Sequence, residues 1–192
     1  MFGKEDFAVV LDFLPHGKAG EAKQEPIVQA VGERFFTLLD LVAKPGLQIV
    51  IGERVYIGRD QRDKVERIRG RVMFNDLTSA AQRELETTVR KIIVAREKEF
   101  VNFINTAGAI TIRAHALEHL PSIGKKHLES ILDERKRKPF ESFDDIQKRV
   151  PHLGNPLDIF AERIMLELKG GEKYYLFVKK PVSETEEDRR YR

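Results

Sequence analysis

Cysteine is absent from the 192 residues, so the chain has neither a disulfide framework nor a thiolate metal site. No apolar run approaches the roughly 20 residues that a bilayer-crossing helix requires. The first residues lack the basic, apolar and small-residue order of a signal peptide. A strong charge of one sign is also missing, the formal net charge being +3. Catalytic patterns are as scarce. Gly17-Lys18 lacks the spacing of a phosphate-binding loop, Asp12 has no identifiable partner, and His16, His127 and His152 form no cluster. His115-Ala116-Leu117-Glu118-His119 spells the H-x-x-E-H order of inverted zinc peptidases, but no third ligand stands at a sensible place. Together these absences predict a cytoplasmic protein that is not an enzyme, with no membrane partner and no bound metal.

What is present is a globular composition with dense charge. Hydrophobic residues make up 41%, enough for a real core, and charged residues 34%, above the usual quarter. With so small a net charge, attraction to a polyanion must come from local patches. Residues 54–71 hold seven Lys or Arg against three acids, and residues 135–138 read Arg135-Lys136-Arg137-Lys138.

The N-terminal half reads as short strands punctuated by Gly and Pro, at 7–14, 27–31, 35–42, 47–51, 54–58 and 65–74. Such spacing predicts a small antiparallel barrel, here an OB-like one, over residues 1–77. In the last strand, strict alternation would set Arg67, Arg69 and Arg71 on one face, and Ile68, Gly70 and Val72 on the other. The three guanidinium groups then need phosphate or nearby acids. A solvated charged face is the competing explanation. Tyr56 offers either a stacking surface or core.

Helical periodicity follows. Thr78 is placed to cap a helix carrying Ala81, Leu85, Val89 and Ile92, and residues 97–107 repeat the pattern with Phe100, Phe103 and Ile104. These segments form a helical bridge over 78–110. Thr111 and Ser142 are candidate caps further on, and residues 156–169 form the last helix, ended by Gly170-Gly171. Residues 172–180 alternate like a strand that returns to the N-terminal sheet, and residues 181–192 read as a disordered tail.

Two pentapeptides carry the functional signal: Leu120-Pro121-Ser122-Ile123-Gly124 and Val150-Pro151-His152-Leu153-Gly154. Each reads apolar, Pro, polar, apolar, Gly between two helical patterns. Pro stops the preceding helix, Gly permits a tight turn and close approach, and the next helix starts with N–H groups that attract anions. This resembles the helix-hairpin-helix motif, a binder of nucleic acid without sequence preference. The motif usually has Gly where this chain has Ser122 and His152. In the first copy Lys125 and Lys126 follow the Gly, and Leu120, Ile123, Leu128 and Ile131 take the buried positions. In the second, Asn155-Pro156 replaces the lysines. The pair spans residues 111–171. The candidate contacts are Ser122, Gly124, Lys125, Lys126, Gly154 and Asn155, with Arg135, Lys136, Arg137 and Lys138 supplying charge and Arg67, Arg69 and Arg71 extending the surface. A plain helical hairpin with a Pro-Gly turn is the competing explanation.

The chain also resembles an uncharacterised archaeal family, the domain of unknown function 655, over about residues 7–180. The resemblance rests on Val10-Leu11-Asp12-Phe13-Leu14-Pro15-His16-Gly17, Gly32-Glu33-Arg34-Phe35-Phe36-Thr37, Gly52-Glu53-Arg54-Val55-Tyr56-Ile57-Gly58, Glu99-Phe100-Val101-Asn102-Phe103 and Pro139-Phe140-Glu141-Ser142-Phe143. It implies an α+β fold with an OB-like part, a hairpin pair and an RNA-binding role, and brings no catalytic residues. The expected function is non-enzymatic binding of nucleic acid through its backbone, RNA favoured over DNA. No cofactor is expected beyond the monovalent cation that related hairpins can hold on their turn carbonyls. Two other functions fit the same residues: a binder of structured DNA such as a junction, and a protein-interaction module whose hairpins are structural.

Overall fold

The computed structural model describes residues 4–18, 20, 24–112 and 114–180. The tail expected to be disordered therefore lies outside the described residues. The chain divides into two compact units, residues 1–88 with 167–192, and residues 89–166. No helix among the described residues is long and apolar enough to cross a membrane.

In the first unit β1 (Phe7–Leu14), β2 (Ile27–Gly32), β3 (Leu38–Ala43), β4 (Arg54–Tyr56) and β5 (Val65–Arg71) form one antiparallel sheet in the order β4-β1-β2-β3-β5. It curls into a half-barrel, with β4 and β5 as unpaired edges among the described residues. The central strands β2 and β3 are buried at every position, which explains their nearly continuous apolar sequence. One face carries Ala8, Val10, Val28, Ala30, Leu39 and Leu41 in a single apolar cluster. The other buries Gln29 and Asp40. There Gln29 Nε2 donates to Asp40 Oδ1 and to the Asp76 carbonyl, both at 3.1 Å, while its Oε1 accepts the Thr78 N–H at 2.7 Å. Thr78 also caps α1 (Ser79–Ala95), accepting from Ala81 N–H at 3.0 Å and donating to Asp12 Oδ2 at 2.5 Å. Asp12, without a partner in the sequence, thus finds one through the fold.

Several strand expectations need correction. Residues 47–51 form no strand, because the Glu53 carboxylate accepts the Val50 N–H at 3.1 Å and folds them into a turn. β3 begins at Leu38 rather than at residue 35. Buried Glu5 accepts the N–H groups of Arg34, Phe35 and Thr37 at 2.9, 2.9 and 3.2 Å, and Phe36 takes φ +50°. The segment 172–180 is not a strand either. Glu167, fully buried, accepts the successive N–H groups of Leu176, Phe177 and Val178 at 2.8, 3.0 and 2.8 Å, which turns the chain instead of extending it. One sheet-like bond remains, from Lys179 N–H to the Phe35 carbonyl at 3.0 Å.

The second unit is helical, with a small hairpin. It contains the end of α1, then α2 (Glu97–Thr106), β6 (Ala109–Thr111) paired with β7 (Ala114–His115), α3 (Lys125–Arg137), α4 (Phe143–Arg149) and most of α5 (Pro156–Lys169). Phe160 centres its core, 4.9 Å edge-on to Phe100 and 5.8 Å stacked on Phe143. Thr111, expected to cap a helix, ends β6 instead; the element that follows the hairpin is a single 3-10 turn, Ala116–His119, entered through His115. Ser142 caps α4 as expected, accepting from Asp145 N–H at 3.0 Å.

Glu167→Ala would strand three N–H groups, that of Val178 buried and those of Leu176 and Phe177 partly so. The expected cost is about 3 kcal/mol, or a fall in Tm of roughly 6–12 °C for a chain of this size. Thermal denaturation checks this, and an unchanged Tm would show that the C-terminal segment is held by other contacts.

Candidate nucleic-acid interface

The two pentapeptides adopt matching turns. Three non-glycine residues among those described have positive φ, and two are the central residues of these turns, Ser122 at +64° and His152 at +63°. Left-handed backbone costs a residue with a Cβ about 1 kcal/mol or more, so each turn is held from outside. The flanking apolar residues do this: Leu120, Ile123, Val150 and Leu153 are all buried. His127 helps in the first copy, its Nδ1 lying 2.9 Å from the Ser122 carbonyl, a role the sequence did not announce.

Beyond the turns the copies diverge. Gly124 has φ −87° and ψ −178°, so extended backbone and not a left-handed turn occupies the position where a tight glycine turn was expected. A Cβ there would meet nothing within 4 Å. Gly154, at φ +86°, does use the glycine-only freedom. α3 then starts at Lys125 with no side-chain cap. Among the described residues nothing accepts the N–H groups of Lys125, Lys126 or His127, and both lysines are exposed. α5 starts with its acceptors built in. Asn155 Oδ1 takes the Leu157 N–H at 2.9 Å, and Asp158 adds a negative charge in the first turn while pairing with Arg90 at 2.6 Å. The first turn is therefore open to an anion and the second is largely supplied from within.

The basic cluster is unequal in the same way. Arg135 is not a free cation: its Nη1 donates to the carbonyls of Ile104 and Ala107 at 2.9 and 2.8 Å, closing the C-terminus of α2. Burial lowers its pKa from the ordinary value. Lys136, Arg137 and Lys138 are exposed but each lies beside an acid, Asp133, Glu134 and Glu141 respectively.

The arginines of β5 do not share a face. Bulges at Glu66 and Arg69 each shift the alternation by one residue, so Arg67 lies opposite Val42 while Ile68 and Arg71 lie opposite Leu41 and Leu39. Arg67 pairs with Glu25 at 2.6 Å, and Arg71 Nη2 donates to the carbonyls of Lys179 and Lys180. The continuous arginine face read from the sequence is thus split between two surfaces, and Arg67 and Arg71 are tied to internal partners.

His115 and Glu118 have a local role. His115 Nδ1 accepts the Leu117 N–H at 3.2 Å, and Glu118 Oε2 accepts the His115 N–H at 2.8 Å, a reciprocal capping box around the 3-10 turn. No group of three metal-binding side chains occurs among the described residues.

A sequence model of the protein family of unknown function DUF655 matches residues 4–179. The chain belongs to that family. One relative, the uncharacterised protein MJ0038 of Methanocaldococcus jannaschii, is 44% identical over 177 residues, covering 91% of this chain and 80% of the relative. The crystal structure of Af1531 from Archaeoglobus fulgidus, 44% identical, superposes with a TM-score of 0.83 over 91% of this chain and all of that one. The curled five-strand sheet with five helices is therefore the family's mixed α+β architecture.

Two outcomes separate structural from solvent-exposed groups here. Arg135→Ala should destabilise by about 2 kcal/mol by stranding the carbonyls at the end of α2, whereas Lys136→Ala should stay within about 0.5 kcal/mol; chemical denaturation of both variants distinguishes them. His115 should make stability pH-dependent. Burial, helped by the charge of Arg135 and opposed by Glu118, lowers its pKa below 6.5. As pH falls the unfolded chain takes up the proton first, so this contribution is complete above about 6.5 and is lost through the lower folded value. In melting curves between about pH 7.5 and pH 5, His115→Asn should retain a capping oxygen and show less acid-induced loss of Tm than wild type.

Proposed function

We propose that this chain binds nucleic acid without catalysing a reaction, gripping the sugar-phosphate backbone at helix-hairpin-helix turns, with RNA preferred over DNA. The observation that carries the reading is the first turn: Ser122 in left-handed backbone between buried Leu120 and Ile123, leading to the uncapped N-terminus of α3 beside exposed Lys125 and Lys126. Open N–H groups and flexible cations are the donors that phosphate oxygens require. The equivalent angle at His152 supports the paired form of the motif, with the second copy as the weaker contact. An OB-like role for the half-barrel would add a concave surface for unpaired bases, which favours RNA. Backbone contacts of this kind position a ligand without reading its sequence.

One observation favours a different reading, a protein-interaction module. The N-terminus of α5 is already capped by Asn155, and each exposed cation of residues 136–138 faces an acid.

Salt titration decides between them. Lys125→Ala with Lys126→Ala should leave the fold intact and weaken binding similarly on unrelated RNAs. It should also flatten the slope of log affinity against log salt by roughly 0.7 per lost contact on single strands or about 0.9 on B-DNA. Gly124→Val sharpens the test, because its side chain enters open space in the free protein and would meet only a ligand approaching α3. Equal affinity and slope for wild type and variants on every RNA and duplex would assign the hairpin a purely structural role.

A further inference from the structure

The two edge strands of the half-barrel leave a cleft that the hairpins do not explain. It encloses about 900 Å³, within the range of small-ligand sites. Residues following β4 form one side and β5 the other, with Leu39 of β3 between them. Its surface has two characters. One part is apolar: Leu39 and Ile57 are buried, while Ile68 stands 39% exposed on the core face of β5. That exposure follows from the bulge at Arg69, which keeps Ile68 in line with Leu41 at the open edge. The other part is cationic. Lys4, Arg59 and Lys179 line the cleft, and their side chains form no ion pair or hydrogen bond among the described residues.

The acids of the cleft offset this charge only in part. Glu5 is bound by three backbone N–H groups, and Asp60 accepts from Tyr56 Oη at 3.1 Å. With Asp6 they make three carboxylates against six cations, Arg34, Arg62 and Arg71 being the other three, so the lining keeps a net positive charge. The Tyr56 wall is fixed in place: its ring meets Phe7 edge-on at 5.2 Å, and a Cβ on Gly58 would fall 2.2 Å from the phenol oxygen. Gly58 is thus needed for the tyrosine to lie where it does.

We infer that this cleft binds one nucleotide, its base against Ile68 and the Tyr56 wall and its phosphate toward Arg59, Lys179 and Lys4. A bare anion gains nothing from the apolar floor, and an uncharged apolar ligand leaves the excess of positive charge unmatched. A planar base joined to a phosphate answers both. The choice of a nucleotide over other amphipathic anions rests on the nucleic-acid reading above. The nucleotide can be free or belong to an RNA strand.

Calorimetric titration of the full chain with adenosine monophosphate, adenosine, inorganic phosphate and an oligoadenylate separates these cases. Ile68→Glu and Arg59→Glu are the variants, with Lys125→Ala, Lys126→Ala as the control and melting curves to verify folding; exposed Arg59 serves if Ile68→Glu fails to fold. Each cleft variant should lose at least about tenfold in affinity for the nucleotide and the oligonucleotide, while the hairpin control keeps nucleotide binding. If only the oligonucleotide binds and the cleft variants weaken it, the nucleotide is part of a strand. If the nucleotide alone binds and the cleft variants abolish that, the cleft stands and the backbone-binding reading falls. The inference is overturned if phosphate binds as well as the nucleotide, if nothing binds, or if the folded cleft variants bind both probes like wild type. In the last case oligonucleotide binding lost in the hairpin control would leave the backbone reading intact.

Discussion

Backbone N–H groups outside helices and sheets need acceptors, and in this protein a few side chains placed for that purpose hold several of the turns and helix starts. Glu5 holds the turn before β3, and Glu167 holds three successive amides near the C-terminus. Thr78, His115, Ser142 and Asn155 start α1, the 3-10 turn, α4 and α5. A buried amide without a partner costs as much as several good contacts contribute, so these few polar residues decide where the chain may turn. Against that background the uncapped start of α3 differs from those of α1, α4 and α5, which begin on side-chain acceptors. It is solvent-exposed and flanked by lysines, so water can serve it in the free protein and an anion can replace that water.

The sheet shows how small irregularities redirect function. A regular strand from residue 65 to 71 would align three arginines. The bulges at Glu66 and Arg69 instead divide them, sending Arg67 to Glu25 and Arg71 to the carbonyls of the C-terminal segment. The same irregularity brings Ile68 to the open edge of the half-barrel. Charge that looked like a surface for a ligand becomes a structural tie, while an apolar residue becomes the exposed floor of a cleft.

Much of the architecture was legible in the chain because it depends on local patterns. Apolar repeats marked α1, α2 and α5, and buried runs marked β1 and β2. Thr78 and Ser142 identified their helices because an N-cap acts on amides only two or three residues away. Turn residues were equally clear at Pro121 and Pro151. The segments that misled were those governed by distant partners. Residues 172–180 alternate like a strand, yet a carboxylate on α5 bends them. Residues 47–51 are apolar enough for a strand, yet Glu53 turns them.

The sequence by itself determined the mixed α+β class, the starts of α1, α4 and α5 and the two equivalent pentapeptide turns, since each follows from residues within one helical turn of one another. Only the tertiary structure decided which charges remain available. Arg135 and Lys136 are adjacent and chemically similar, but Arg135 reaches the carbonyls at the end of α2 while Lys136 points to solvent beside Asp133. Gly124 and Gly154 occupy the same place in the motif, yet only Gly154 needs a left-handed backbone. An ion pair or a desolvated amide depends on distance through space, and residues brought together from opposite ends of a chain carry no mark of that distance in their order.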